Sequence, residues 1–262
     1  AGTGAQSRTV QSKLRDVVSV KDFGATGAGY PTDDRAAIQA AFDAHQCVYF
    51  PEGEYYIGGA IIPQGNSLIY GSGRESHIVI KDGDTTGIDL TSKAGVTVRD
   101  LKLSCRGSVG TLGGLSGKAA IYLNGSSQCT VEGNFIFNCY NTGIRLYASS
   151  NNTIRGNYFG DWYTTGTSND DSANISCLGA NSYNVVDGNY CLGANAGSGI
   201  VFNDYYVVGA EMVGNIISNN VVAGKKAYGI LFYTTTTAVP LGYDCKSVIT
   251  NNVVSDIDGS YV

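Results

Sequence analysis

Short apolar runs of period two dominate the C-terminal two thirds of the chain. In Ile144-Arg145-Leu146, Ile175-Ser176-Cys177, Ile200-Val201-Phe202 and Ile230-Leu231-Phe232, the first and third residues are apolar. That parity sends them to one side of a strand and the middle residue to the other. A second short run follows each and ends on asparagine: VEGNF at Asn134, IRGNY at Asn157, VDGNY at Asn189, ISNNVV at Asn220 and ITNNVV at Asn252. The first landmark recurs as Ile88, Ile121, Ile144, Ile175, Ile200 and Ile230, and successive asparagine landmarks lie 23, 32, 31 and 32 residues apart. Such a period is long enough for one turn of a solenoid and too short for an independent domain. The pattern therefore predicts an all-β protein, a single-stranded parallel β-helix whose rungs need their neighbours.

Stacking in this register has two further consequences. The outward positions Arg99, Glu132, Arg155 and Asp187 form a ladder of alternating charge at roughly 4.8 Å spacing, which makes Glu132 and Asp187 structural ion-pair partners. The recurring asparagine sits where the chain turns, its side chain bonding to neighbouring backbone or to the asparagine above.

The pattern differs before the rungs. Residues 1–16 are polar and poorly patterned and read as a connector or neck, with order expected from Val17. Residues 17–77 form an N-terminal cap. Within it Ala37, Ile38, Ala41 and Phe42 make an apolar stripe at helical spacing, and Thr32, Asp33 and Asp34 offer caps for a short helix. Capping, rather than catalysis by a paired carboxylate, is the reading for Asp33 and Asp34. Val48–Phe50 and Tyr55–Ile57 read as strands around a Pro51-Glu52-Gly53 turn. Residues 78–262 are rungs.

Composition agrees with many short strands and tight turns, with 36 Gly and 18 Tyr beside 4 Pro. The net charge of −5 and sparse Lys and Arg argue against nucleic acid as a partner. No window is apolar enough for membrane insertion, and the first residues lack the apolar core of a signal peptide. Seven Cys are scattered without CxxC or Cys/His metal spacing, so they read as small buried hydrophobes, with no metal and no cofactor expected.

The segment LRDVVSVKDFGATGAGYPTDDRAAIQAAFDA, followed by VYFPEGEYYI, resembles the opening of the pectate-lyase-like superfamily found in bacteriophage tailspikes and capsule depolymerases. The residues that carry it are Phe23-Gly24-Ala25, Gly27, Gly29, Asp33-Asp34, Ala37-Ile38-Gln39, and Val48-Tyr49-Phe50-Pro51 with Gly53 and Tyr55. Ala28 and Pro31 depart from the pattern. The resemblance implies a right-handed β-helix, a homotrimer, attachment to a phage tail or baseplate through the N-terminus, and binding or cleavage of a bacterial surface polysaccharide, capsule or O-antigen. The expected location is the virion tail.

Candidate chemistry lies where rungs gain residues, because loops on a rigid solenoid carry binding. Gly160 to Ala173 precedes one Ile strand, and the Ile-to-Asn distance grows from 13 or 14 residues to 20 and 22 in the rungs of Ile200 and Ile230. These insertions are expected to wall a groove floored by Arg145, Ser176, Val201 and Leu231. Trp162, Tyr163, Tyr205, Tyr206, Tyr233 and Tyr243 offer rings for sugars, with Arg145 as a further substrate contact. Glycoside hydrolysis needs two carboxyls, and Asp204, Glu211 and Asp244 on one wall are the catalytic candidates, with Asp170 and Asp171 as rivals on the other. A lyase would instead use a base and a charge-neutralising cation, for which Arg145, Lys225 and Lys226 are at hand. A non-catalytic receptor-binding or structural spike is the third reading. His45 and His77 lie away from this groove.

Overall fold

The computed structural model describes residues 17–82, 85–107, 118–139, 142–160, 172–192, 197–203, 212–225, 227–233 and 246–257, besides isolated positions before them. The chain is a right-handed parallel β-helix, as the repeat predicts, with three strand faces and one short α-helix among the described residues. The first face stacks Ile88–Asp89, Ala119–Asn124, Thr142–Tyr147, Ala173–Leu178, Ser198–Asn203 and Ile230–Tyr233. Its register aligns Ile88, Ile121, Ile144, Ile175, Ile200 and Ile230 in one inward column. The second face continues through Thr130–Glu132, Thr153–Arg155, Val185–Asp187, Ile216–Ser218 and Val248–Thr250. The third continues through Phe135–Phe137, Tyr158–Phe159, Tyr190–Cys191, Val221–Lys225 and Val253–Ile257. Two longer strands, Leu68–Asp82 and Thr97–Gly107, bend round the corner and serve both of these faces.

The corner between the second and third faces is held by an asparagine ladder. Asn134, Asn157, Asn189 and Asn220 have no exposed surface. Each side-chain Nδ2 donates to Oδ1 of the asparagine one rung on, at 3.0 Å for Asn134 to Asn157, 3.1 Å for Asn157 to Asn189 and 3.0 Å for Asn189 to Asn220. Each also donates to a carbonyl one rung back, Val131 in the case of Asn157. The residue before each asparagine has positive φ, and Gly133, Gly156 and Gly188 supply it without strain. A second ladder at the corner between the first and second faces was not expected. Asn152 Nδ2 donates to Asn184 Oδ1 at 3.0 Å and Asn184 Nδ2 to Asn215 Oδ1 at 3.3 Å, all three buried. Each stands five residues before a member of the first ladder.

The helix α1 (Arg35–Ala44) buries Ile38, Ala41 and Phe42 over the first rungs, with the Phe42 ring 6.2 Å from that of Phe50. The two aspartates before it divide their work differently from expectation. Asp33 Oδ1 accepts from the Arg35 backbone N–H at 3.0 Å, whereas the Asp34 carboxylate turns back to accept from the N–H groups of Thr26 and Gly27. Asp34 thus ties down the glycine-rich loop instead of capping the helix. Among the described residues no helix is long and apolar enough to cross a membrane.

The charge ladder has the expected register but not an unbroken alternation. Arg155 Nε donates to Glu132 at 2.7 Å, while Arg99 turns to its neighbour Asp100 at 2.7 Å. Asp187 accepts from the Ser218 hydroxyl at 2.6 Å and the Asn219 amide at 2.7 Å, and these bonds hold its carboxyl below the usual range. Five of the six described cysteines are buried free thiols, and only Cys47 is exposed.

Asn157→Ala would take away the acceptor of the Asn134 backbone N–H and the side-chain bonds to the Val131 carbonyl and Asn189 Oδ1, and should lower stability by on the order of 3 kcal/mol. Arg155→Ala, at an exposed pair, should cost under about 1 kcal/mol. Urea midpoints at constant m-value measure both, and equal losses would contradict the ranking.

Candidate functional site

The outer surface of the first face is built by the residues that alternate with the inward column. Tyr122, Arg145, Ser176, Val201 and Leu231 stand in register across five rungs, so the predicted floor is one continuous row. Its burial was not predicted. Arg145 is only 2% exposed, and Ser176 and Val201 are fully buried. Arg145 Nη2 donates to Thr142 Oγ1 at 2.9 Å, so the column begun by Thr142 and continued by Ala173 and Ser198 borders the same surface. Burial pushes the Tyr122 phenol up in pKa, and the Arg145 guanidinium opposes that rise.

This region carries polar groups that the protein leaves unanswered. The hydroxyls of Ser172, Ser176 and Ser198, and both side-chain polar atoms of Asn174, are buried without a hydrogen-bond partner. Native folds pair nearly all such groups, and each orphan costs about 1–3 kcal/mol. Asn174 also stands in the column where the neighbouring rungs have Gly143 and Gly199. A Cβ at either glycine would meet core atoms, the Phe159 ring at 2.7 Å and Val222 at 2.3 Å. Asn174 therefore shares a core-facing column, whereas Ser176 stands in the row of Arg145 and Ser198 in the column of Thr142, polar groups on the first face that packing alone does not require.

Of the sequence-predicted site residues, the described part of the structure places three. Arg145 lies in the buried floor, Tyr233 lies three rungs further along the face, 47% exposed, and Lys225 ends the third-face strand Val221–Lys225, fully buried, so it does not join the first-face floor. Asp170, Asp171, Trp162, Tyr163, Asp204, Tyr205, Tyr206, Glu211, Tyr243, Asp244 and Lys226 lie outside the described residues. Topology still fixes where their segments attach. Residues 204–211 and 234–245 leave the ends of adjacent first-face strands at Asn203 and Tyr233, and residues 161–171 lead into the start of Ala173–Leu178. Sequence reasoning missed Ser172 and Ser198. Their signal was the replacement of Ala or Gly at fixed register by a polar residue.

Two family models match the chain. "Rhamnogalacturonase A/epimerase, pectate lyase-like" covers residues 17–104, and "Periplasmic copper-binding protein (NosD)" covers residues 64–238, more than half of the sequence. The chain belongs to the NosD family of pectate-lyase-like parallel β-helices. Among curated relatives, mannuronan C5-epimerase AlgE5 of Azotobacter vinelandii is 38% identical over 123 residues, 41% of this chain. Alginate lyase 7 of the same organism is 42% identical over 102 residues, 33% of this chain. The match spans 12% of the length of each of these two relatives.

Solved structures share the fold at low identity. An α-1,3-glucanase catalytic unit from Streptomyces thermodiastaticus has a TM-score of 0.69 at 20% identity, covering 99% of this chain and 43% of its own. The tailspike of Escherichia coli bacteriophage HK620, in complex with a pentasaccharide, has 0.62 at 16%, covering 97% and 53%. PfbA, a surface adhesin of Streptococcus pneumoniae, has 0.67 at 17%, covering 91% and 72%. The enzymes among these relatives and neighbours act on polysaccharides.

The copper in the family description finds no matching donor set in the described residues. No three of His, Cys, Asp and Glu converge there. The thiols of Cys177 and Cys191 are buried and pushed up in pKa by that burial, to about 12 for Cys191. His77 is engaged with Ser104.

If the floor hydroxyls serve a ligand and not the fold, Ser176→Ala and Ser198→Ala should leave the unfolding midpoint unchanged or raise it by up to about 1 kcal/mol equivalent. A loss above that size in thermal or urea unfolding would show that these hydroxyls hold the structure.

Proposed function

We propose that this chain binds a polysaccharide across its first face and cleaves it, serving as a phage tailspike depolymerase of a bacterial capsule or O-antigen. The observation that carries this reading is the set of buried hydroxyls without protein partners beside Arg145. Sugars present hydroxyls that must be matched by such groups, and apolar ring faces that stack on aromatic side chains. Trp162, Tyr163, Tyr205, Tyr206, Tyr233 and Tyr243 are the proposed stacking residues. Assembly as a homotrimer, joined to the tail through the N-terminal segment, belongs to the same proposal.

Asp204, Glu211 and Asp244 are the proposed carboxylates, with Asp170 and Asp171 as rivals. One, protonated, donates to the leaving glycosidic oxygen, and the other, ionised, attacks the anomeric carbon or activates water. Their segments follow adjacent rungs, which favours a shared wall. A second reading rests on the alginate lyase and the epimerases among the relatives. There Arg145 would neutralise a uronate carboxylate while a base removes the neighbouring proton. The likeness to an adhesin supports a third reading, binding without cleavage.

The test is incubation of the purified chain with capsular and O-antigen polysaccharides and alginate. Hydrolysis predicts shortened chains with new reducing ends and no ultraviolet absorbance, and Asp204→Asn, Glu211→Gln or Asp244→Asn should lower the rate by at least ~100-fold. An unsaturated, absorbing product would transfer the assignment to a lyase. Intact polymer with measurable binding would leave a receptor-binding spike.

A further inference from the structure

A serine, a histidine and a glutamate meet on the third face, away from the first-face floor. Strand register sets Glu54 beside His77 and His77 beside Lys102. His77 Nε2 lies 2.8 Å from Ser104 Oγ, and His77 Nδ1 lies 3.6 Å from Glu54 Oε2. Burial first, then the charge of Lys102, push the imidazole down to about 4, so it is neutral at neutral pH. With its proton on Nδ1, facing Glu54, the ring offers Nε2 as an acceptor to the Ser104 hydroxyl. That is the arrangement in which a histidine takes a proton from a nucleophilic serine.

The surroundings suit a small acyl group carried on a sugar. Ser104 is 7% exposed and stands between Val79 and Phe137 of the adjoining rungs, so an acyl group on it would lie against apolar side chains. The Phe135, Phe137 and Tyr158 rings cluster beside it, with the Arg74 guanidinium 4.2 Å over Phe135, a donor within reach of a sugar's hydroxyls. Lys102 and Ser104 are two residues apart on the same side of one strand, and the charge of Lys102 is felt at His77.

We propose that Ser104 and His77 form an esterase site that removes small O-acyl groups, such as acetyl, from sugar hydroxyls. Ser104 Oγ attacks the ester carbonyl carbon, forming a C–O bond as its proton passes to His77 Nε2. The bond from that carbon to the sugar oxygen then breaks, and the oxygen leaves with the proton held on His77. Water attacks the acyl-serine carbonyl as His77 accepts its proton; the bond from that carbon to Ser104 Oγ then breaks, and His77 returns the proton to Oγ, which releases the carboxylic acid and restores Ser104. Glu54 is a positioning residue that faces the imidazolium formed in each half of the cycle. This activity is independent of polymer cleavage at the first face.

The test uses the whole chain with p-nitrophenyl acetate and with an O-acetylated polysaccharide, following acetate release. Ser104→Ala and His77→Gln should each lower kcat/KM by at least ~100-fold with the unfolding midpoint retained. His77→Gln separates the roles, since glutamine keeps a hydrogen bond to Ser104 yet cannot take its proton. A fluorophosphonate should label Ser104 in the native chain and not in His77→Gln. The acid limb of the rate profile should fall near pH 4 instead of the ordinary histidine range, and Glu54→Gln should lower kcat without changing KM. Hydrolysis at the native rate in Ser104→Ala would overturn the proposal. So would a folded native chain that neither releases acetate nor takes the label.

Discussion

Everything in this fold depends on satisfying the backbone at two tight corners. A chain that turns between faces buries N–H and C=O groups that no strand ladder can reach, and these must find partners. The asparagine amide both donates and accepts, so one side chain can answer a carbonyl in the rung behind and a backbone N–H and amide in the rungs on either side. Asn157 does this through Val131, Asn134 and Asn189. Because each amide is locked to the next at about 3 Å, rungs of unequal length are forced into common register. The Ile column, the charged row and the first-face floor all inherit that register.

Rigid register has a functional consequence. It lets side chains far apart in sequence act as one surface, and it frees the connections to vary in length without moving the strands they join. Arg145, Ser176 and Val201 come from three rungs and form one floor. The unpartnered serine hydroxyls there raise the energy of the folded state, and the ladders are the reserve that tolerates it. A polar residue retained where its neighbours are Gly or Ala, at a cost to stability, is the expected mark of a site under functional constraint.

Much of the fold was legible in the sequence because its two periods are written in residue type. The Ile column and the Gly-Asn landmarks gave strand, turn and register together, and α1 followed from Ile38, Ala41 and Phe42. The second ladder was hidden because the residue before Asn152, Asn184 and Asn215 varies among Asn151, Tyr183 and Gly214. The pairing within the charged row was also hidden, since Asp100 adopts positive φ in the turn and draws Arg99 away from Glu132. The floor was legible as a row, but its burial was not, because exposure depends on packing from outside the strand. His77 was set aside, and Ser104 was not singled out, for a related reason. They are 27 residues apart, and only the offset between two bent strands brings them together.

The central claim is that the first face is where a polysaccharide binds, with the buried hydroxyls as its partners. The most direct measurement is a crystal structure of the chain with an oligosaccharide from the polymer that it binds. The account predicts sugar oxygens within hydrogen-bond distance of Ser176 or Ser198, with Arg145 on the same ligand. A saccharide bound on the second or third face, with the first-face hydroxyls still without partners, would contradict it.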